Sequence, residues 1–99
     1  MVKNINKDEF ENIIKDENVV IDCYADWCGP CKMLSPIIDE LSEELTNINF
    51  YKLNVDEEEE LAYEYRIMSI PTILIFEKGV LKQTLVGFKN KEELLSILK

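Results

Sequence analysis

The sequence predicts an α/β domain, a mixed β-sheet with helices packed on both faces. Three observations predict it. Strand-like and helix-like runs alternate through the first half and give way to a hairpin and a last helix, an order that sets parallel strands beside antiparallel ones. The run Val19 to Tyr24 is too apolar at both parities for a surface strand, so it belongs at the centre of a sheet covered on two sides. Finally, 99 residues of which 46% are hydrophobic suit a single core and hence one domain, residues 1–99.

In chain order, Val2 to Ile5 reads as a short edge strand. Asn6 is an N-cap with Glu9 three residues on, opening a helix to about Lys15 whose apolar face is Phe10, Ile13 and Ile14. The polar break Asp16-Glu17-Asn18 leads into the central strand. A helix follows from Lys32 to Thr46, with Leu34, Ile38, Leu41 and Leu45 at helical spacing and Pro36 predicting a kink. Ile48 to Val55 is the next strand, and Asp56 is the expected cap of a helix over about Glu57 to Tyr65, whose acidic start suits a helix N-terminus. Pro71 ends that pattern. Thr72 to Phe76 and Val80 to Val86, joined at Lys78-Gly79, read as an antiparallel hairpin, and a helix from Asn90 carries Leu94, Leu95 and Leu98.

Composition narrows the functional classes. Eleven basic against twenty acidic residues leave a formal net charge of −9, which disfavours nucleic acid and anionic membrane surfaces as partners. No run approaches the ~20 apolar residues of a membrane helix, and the first residues lack the apolar stretch of a signal peptide, so a cytoplasmic location is expected. Histidine is absent, which removes Cys–His nucleophile pairs. Three cysteines and no imidazole fall short of a closed zinc site unless two chains pool their thiols, so neither metal nor cofactor is expected.

Chemistry is concentrated in Trp27-Cys28-Gly29-Pro30-Cys31. The segment stands between the central strand and an amphipathic helix, so Cys28 falls at a strand-to-helix junction. The first turn of a helix offers free backbone N–H groups and the positive end of its dipole, both of which stabilise an anion. A thiolate is such an anion, and it is the form that attacks a disulfide. Pro30 has no N–H to lose there, and Gly29 allows the turn between the sulfurs. A Cys28–Cys31 bridge would close a very short loop and constrain the unfolded chain little, so the pair reads as redox-active more readily than structural.

Asp22, Ala25 through Met33, Pro36, Lys52-Leu53-Asn54-Val55-Asp56, Ile70-Pro71-Thr72 and Val86-Gly87 fall in the order and approximate spacing of one family. The sequence resembles the thioredoxins over nearly its whole length. The resemblance implies the thioredoxin fold and a protein-disulfide reductase in which Cys28 is the nucleophile, Cys31 resolves the mixed disulfide, and the two form the disulfide of the oxidised state. It also implies redox tuning by Gly29 and Pro30, and a substrate surface of Trp27, Ile70, a cis Pro71 and Gly87. Disulfide-containing proteins and a thioredoxin reductase are the implied partners, and a monomer is expected.

Asp22 is the most informative residue outside the motif. A carboxyl among Val, Ile and Cys resists ionising if buried, so its pKa is expected to be raised, unless the strand edge is frayed and solvated. The family match makes it the proton acceptor for Cys31, with Lys52 tuning it; an ordinary exposed lysine is the other reading of Lys52. Trp27 is open between the substrate surface and core packing. Tyr24 and Cys23 depart from residues common in the family, and Cys23 reads as a small buried hydrophobe. Two further functions stay open: a docking module that uses the same surface, and an oxidant or isomerase.

Overall fold

The computed structural model describes residues 2–99. Among these, nine elements follow one another: β1 (Lys3–Asn4), α1 (Lys7–Ile13), β2 (Asn18–Tyr24), α2 (Gly29–Glu44), β3 (Asn49–Asn54), α3 (Glu59–Glu64), β4 (Thr72–Glu77), β5 (Val80–Val86) and α4 (Lys91–Leu98). The strands form one sheet in the order β1-β3-β2-β4-β5. β1 and β2 run parallel to β3, while β2–β4 and β4–β5 are antiparallel. The mixed sheet therefore follows from the alternating first half and the hairpin.

The two-residue period of β2 divides the core. Val19, Ile21 and Cys23 join Phe10, Leu61 and Phe76 on the face covered by α1 and α3. On the opposite face Val20 joins Leu34, Ile38, Leu41 and Leu94 from α2 and α4. Asp22 shares the parity of Val20, so it points toward α2, the one carboxyl among the buried side chains of β2. Phe10, Tyr65 and Phe76 meet in tilted and edge-to-face contacts at 5.3 to 5.7 Å between ring centres, closing the first face.

Two helix starts differ from the sequence expectation. The second helix begins at Gly29, three residues before Lys32, because Cys28 itself is the N-cap and its sulfur accepts the Cys31 N–H. Pro36 lies inside that helix as expected, within 16 residues anchored by four buried side chains. Asp56 does not cap α3. Asn54 Oδ1 accepts from the backbone N–H groups of Asp56 and Glu57 at 2.9 and 3.3 Å, forming an Asx turn that leaves the cap position to Glu58 without a side-chain bond. At Asn6 the expected capping box with Glu9 is formed, and Asn90 with Glu93 makes a second one at α4.

Candidate functional site

The parallel pair β2–β3 ends beside the start of α2, and the antiparallel β4 begins there as well. These edges bring Cys28, Cys31, Asp22, Lys52, Trp27, Ile70, Pro71 and Gly87 to one end of the sheet. Cys28 and Cys31 are joined as a disulfide with Cα atoms 5.3 Å apart. Their sulfurs are not separated by exposure in this oxidised state, since Cys28 is 4% and Cys31 3% accessible. What separates them is their place on the helix. Cys28 Sγ accepts the Cys31 backbone N–H at 3.2 Å, a bond aimed from the first turn at the cap.

The loop before β4 closes over the pair. The Ile70–Pro71 peptide bond is cis, the Ile70 carbonyl oxygen lies 3.8 Å from Cys28 Sγ, and Ile70 packs against the Ala25, Cys28, Cys31 cluster. Thr72 fastens the loop by donating its hydroxyl to the Ser69 carbonyl at 2.6 Å. Gly87 approaches from β5's end, where its φ of +91° suits glycine, and its N–H donates to the Pro71 carbonyl at 2.8 Å. Trp27 is not core: its residue is 71% exposed, and its indole N–H donates to Asp56 Oδ2 at 2.8 Å. Asp56, expected as a helix cap, thus serves the exposed surface instead.

Asp22 is fully buried, and neither carboxylate oxygen has a hydrogen-bond partner among the described residues. Burial pushes its pKa up to about 6 from an ordinary 3.8, opposed by the positive charge of Lys52 and assisted by the negative charge of Asp39. It opens on a cavity of ≈ 190 Å³ that Cys31, Ser35 and Lys52 also line. Lys52 is the register partner of Asp22 across β2–β3, yet its ammonium donates to Ser35 Oγ at 2.7 Å and not to the acid. Cys23, on the other parity, is buried away from this group, and burial raises its thiol pKa strongly.

Ser35 is the residue that sequence reasoning passed over, and Asn54 was named there only as part of the family match, without a role. Ser35 stands four positions after Cys31, a spacing that puts both on one face of a helix, and this was the available signal. Asn54 carried only its turn-forming side chain as a sign.

A larger open groove of ≈ 580 Å³ lies along Tyr63, Arg66, Ile67 and Met68, without a cysteine in its lining. The sulfur chemistry belongs to the smaller cavity and the surface over it. There, a polarised sulfur pair, a covering backbone loop and an unpartnered carboxyl meet. Once its disulfide is reduced, such a site can attack another disulfide with a thiolate and handle the proton that the second thiol gives up.

The family model described as Thioredoxin matches residues 1–99. A relative named Thioredoxin from Rickettsia prowazekii (strain Madrid E) is 45% identical over 98 residues, covering 96% of this chain and 93% of the relative. Another, from Chlamydia pneumoniae, is 40% identical over 98 residues, with 99% and 96% covered. Among solved structures, Plasmodium falciparum thioredoxin superposes with a TM-score of 0.91 at 34% identity, covering 99% of this chain and 96% of that one. Oxidised mitochondrial thioredoxin 3 from Saccharomyces cerevisiae gives 0.87 at 36% identity, with 97% and 91% covered. Matched from end to end in sequence and in fold, the chain belongs to the thioredoxin family, and its Cys28–Cys31 pair is the redox-active dithiol/disulfide of a protein-disulfide oxidoreductase.

Proposed function

We propose that residues 1–99 act as one thioredoxin domain that reduces protein disulfides, with Cys28 as attacking sulfur, Cys31 as resolving sulfur and Asp22 as the proton acceptor. The observation that carries the order of roles is the cap: the Cys31 N–H points at Cys28 Sγ, so negative charge is best held on Cys28. The Cys28 thiolate attacks one sulfur of the substrate disulfide, forms a mixed disulfide and expels the first substrate thiolate. Cys31 gives its proton toward Asp22 through their shared cavity and attacks Cys28 Sγ. The Cys28–Cys31 bond forms, the mixed bond breaks and the second substrate thiolate leaves. Two electrons have then passed from protein to substrate.

Gly29 and Pro30 tune the pair by shaping the first turn of α2, and Lys52 tunes Asp22 by its charge. Trp27, Ile70, Pro71 and Gly87 form the docking face, supported by their convergence around the sulfurs; an extended substrate segment would pair with the loop backbone. Family membership implies disulfide-bearing protein substrates and a reductase in general. Recycling by a thioredoxin reductase, action as a monomer without bound cofactor, and a cytoplasmic location complete the reading. Among the described residues no helix is long and apolar enough to cross a membrane. The test is reduction of insulin's disulfides by the reduced protein: Cys28→Ser should abolish it and Cys31→Ser should trap a mixed disulfide. Turnover by Cys28→Ser would refute the assignment.

A further inference from the structure

Lys52 and Asp22 stand opposite each other on adjacent parallel strands, in a setting where an ammonium and an unpartnered buried carboxylate would be drawn together. They do not pair. Lys52 Nζ donates to Ser35 Oγ at 2.7 Å and lies 5.1 Å from the centre of the Tyr24 ring. Tyr24 is itself held, because its hydroxyl donates to Asn4 Oδ1 at 2.8 Å. The lysine head is thus gripped between α2 and the end of β2, at a cavity shared with Cys31.

A neutral hydroxyl is a weaker attraction for an ammonium than a desolvated carboxylate, so the observed geometry depends on Ser35 being in reach. We propose that Ser35 is a positioning residue for the exchange reaction: with Tyr24 it keeps the Lys52 ammonium off Asp22 and leaves the carboxyl unpaired and open toward Cys31. This rests on the reading of Asp22 as proton acceptor. A directly paired Asp22 would hold its charge more tightly and accept a proton less readily. A distant Lys52 would leave the acid holding its proton to higher pH. The groups facing Asp22 are Lys52 from β3, Cys31, Lys32, Ser35 and Asp39 from α2, Tyr24 from β2 and Asp26 from the loop after it; β4 sets apolar Ile73 beside it.

The test is ¹³C NMR titration of the Asp22 carboxyl in the oxidised protein, where Cys28 and Cys31 do not titrate. Ser35→Ala suits the helix, since alanine is the better helix former. It should lower the titration midpoint by about 0.5 to 1 pH unit, a threefold to tenfold weaker proton affinity, as the freed ammonium turns to the carboxylate. Ser35→Thr, which keeps the hydroxyl, should stay within about 0.2 of the parent, and Lys52→Met should raise the midpoint. An unchanged or raised midpoint in Ser35→Ala, or a lowered one in Lys52→Met, would overturn the proposal. The pH profile for resolution of a preformed mixed disulfide should shift with the midpoint. Kinetics that stay fixed while the midpoint moves would reject Asp22 as the acceptor and leave the placement of Lys52 standing.

Discussion

A buried carboxyl with no donor to its oxygens weakens the fold that contains it, and among the described residues Asp22 has none. Its pKa of about 6 exceeds the ordinary 3.8, so the folded state holds a proton that the unfolded state releases. Stability is unaffected below about pH 4, falls as pH rises from there through about 6, and stays lowered above it. A gap of roughly two pH units corresponds to about 3 kcal/mol. Asp22→Asn should therefore be more stable than the parent at pH 7 by about 1 to 3 kcal/mol, and the two should converge near pH 4. Urea denaturation at both pH values checks this, and a constant difference would remove ionisation as its cause. Asp22 was legible in the sequence because an acid interrupts an apolar run. Ser35 was not, since its contact with Lys52 depends on how α2 lies over β3, and no local pattern records that distance.

Helix starts carry most of the site's polarity. Cys28 caps α2, whose first turn holds Gly29, Pro30 and Cys31, and moving that start to Lys32 would remove the N–H aimed at the sulfur. The apolar stripe of α2 was readable only from Lys32, and its first turn was legible through Pro30, which suits a helix start, and through Cys28 at the strand-to-helix junction. Asp56 was harder to read. Its spacing suits a cap, yet Asn54 turns the chain first and frees Asp56 for Trp27. Where cap and box coincide, as at Asn6 with Glu9, the element was readable. Asn6→Ala should cost about 1 kcal/mol, or about 4 to 8 °C in Tm, because the Glu9 N–H loses its side-chain acceptor while the backbone N–H of residue 6 still donates to the Glu9 carboxylate. Calorimetry with activity measured alongside checks it: a loss of reductase activity comparable to that of a cysteine variant would show that α1 supports the site more directly than its position on the sheet face opposite α2 implies.

For the whole molecule, the alternating first half and the closing hairpin were enough to specify a mixed sheet, whereas the order β1-β3-β2-β4-β5 came from family likeness, since many orders satisfy the same pattern. The net charge of −9 acts at this scale. Reduction of a disulfide in a basic peptide should slow by roughly tenfold between about 10 mM and 0.5 M salt, while an acidic peptide of the same apolar content should not slow; stopped-flow fluorescence of Trp27 would follow both. Equal salt dependence would mean that charge does not steer encounter. The fold's purpose, on this account, is to hold Cys28 at the anion-stabilising end of α2 and keep Cys31 behind it. Limiting iodoacetamide added to the fully reduced protein at pH 7, followed by peptide mass spectrometry, tests that directly. The label should fall on Cys28, with Cys31 following slowly and buried Cys23 unmodified until unfolding; preferential labelling of Cys31 would contradict the account.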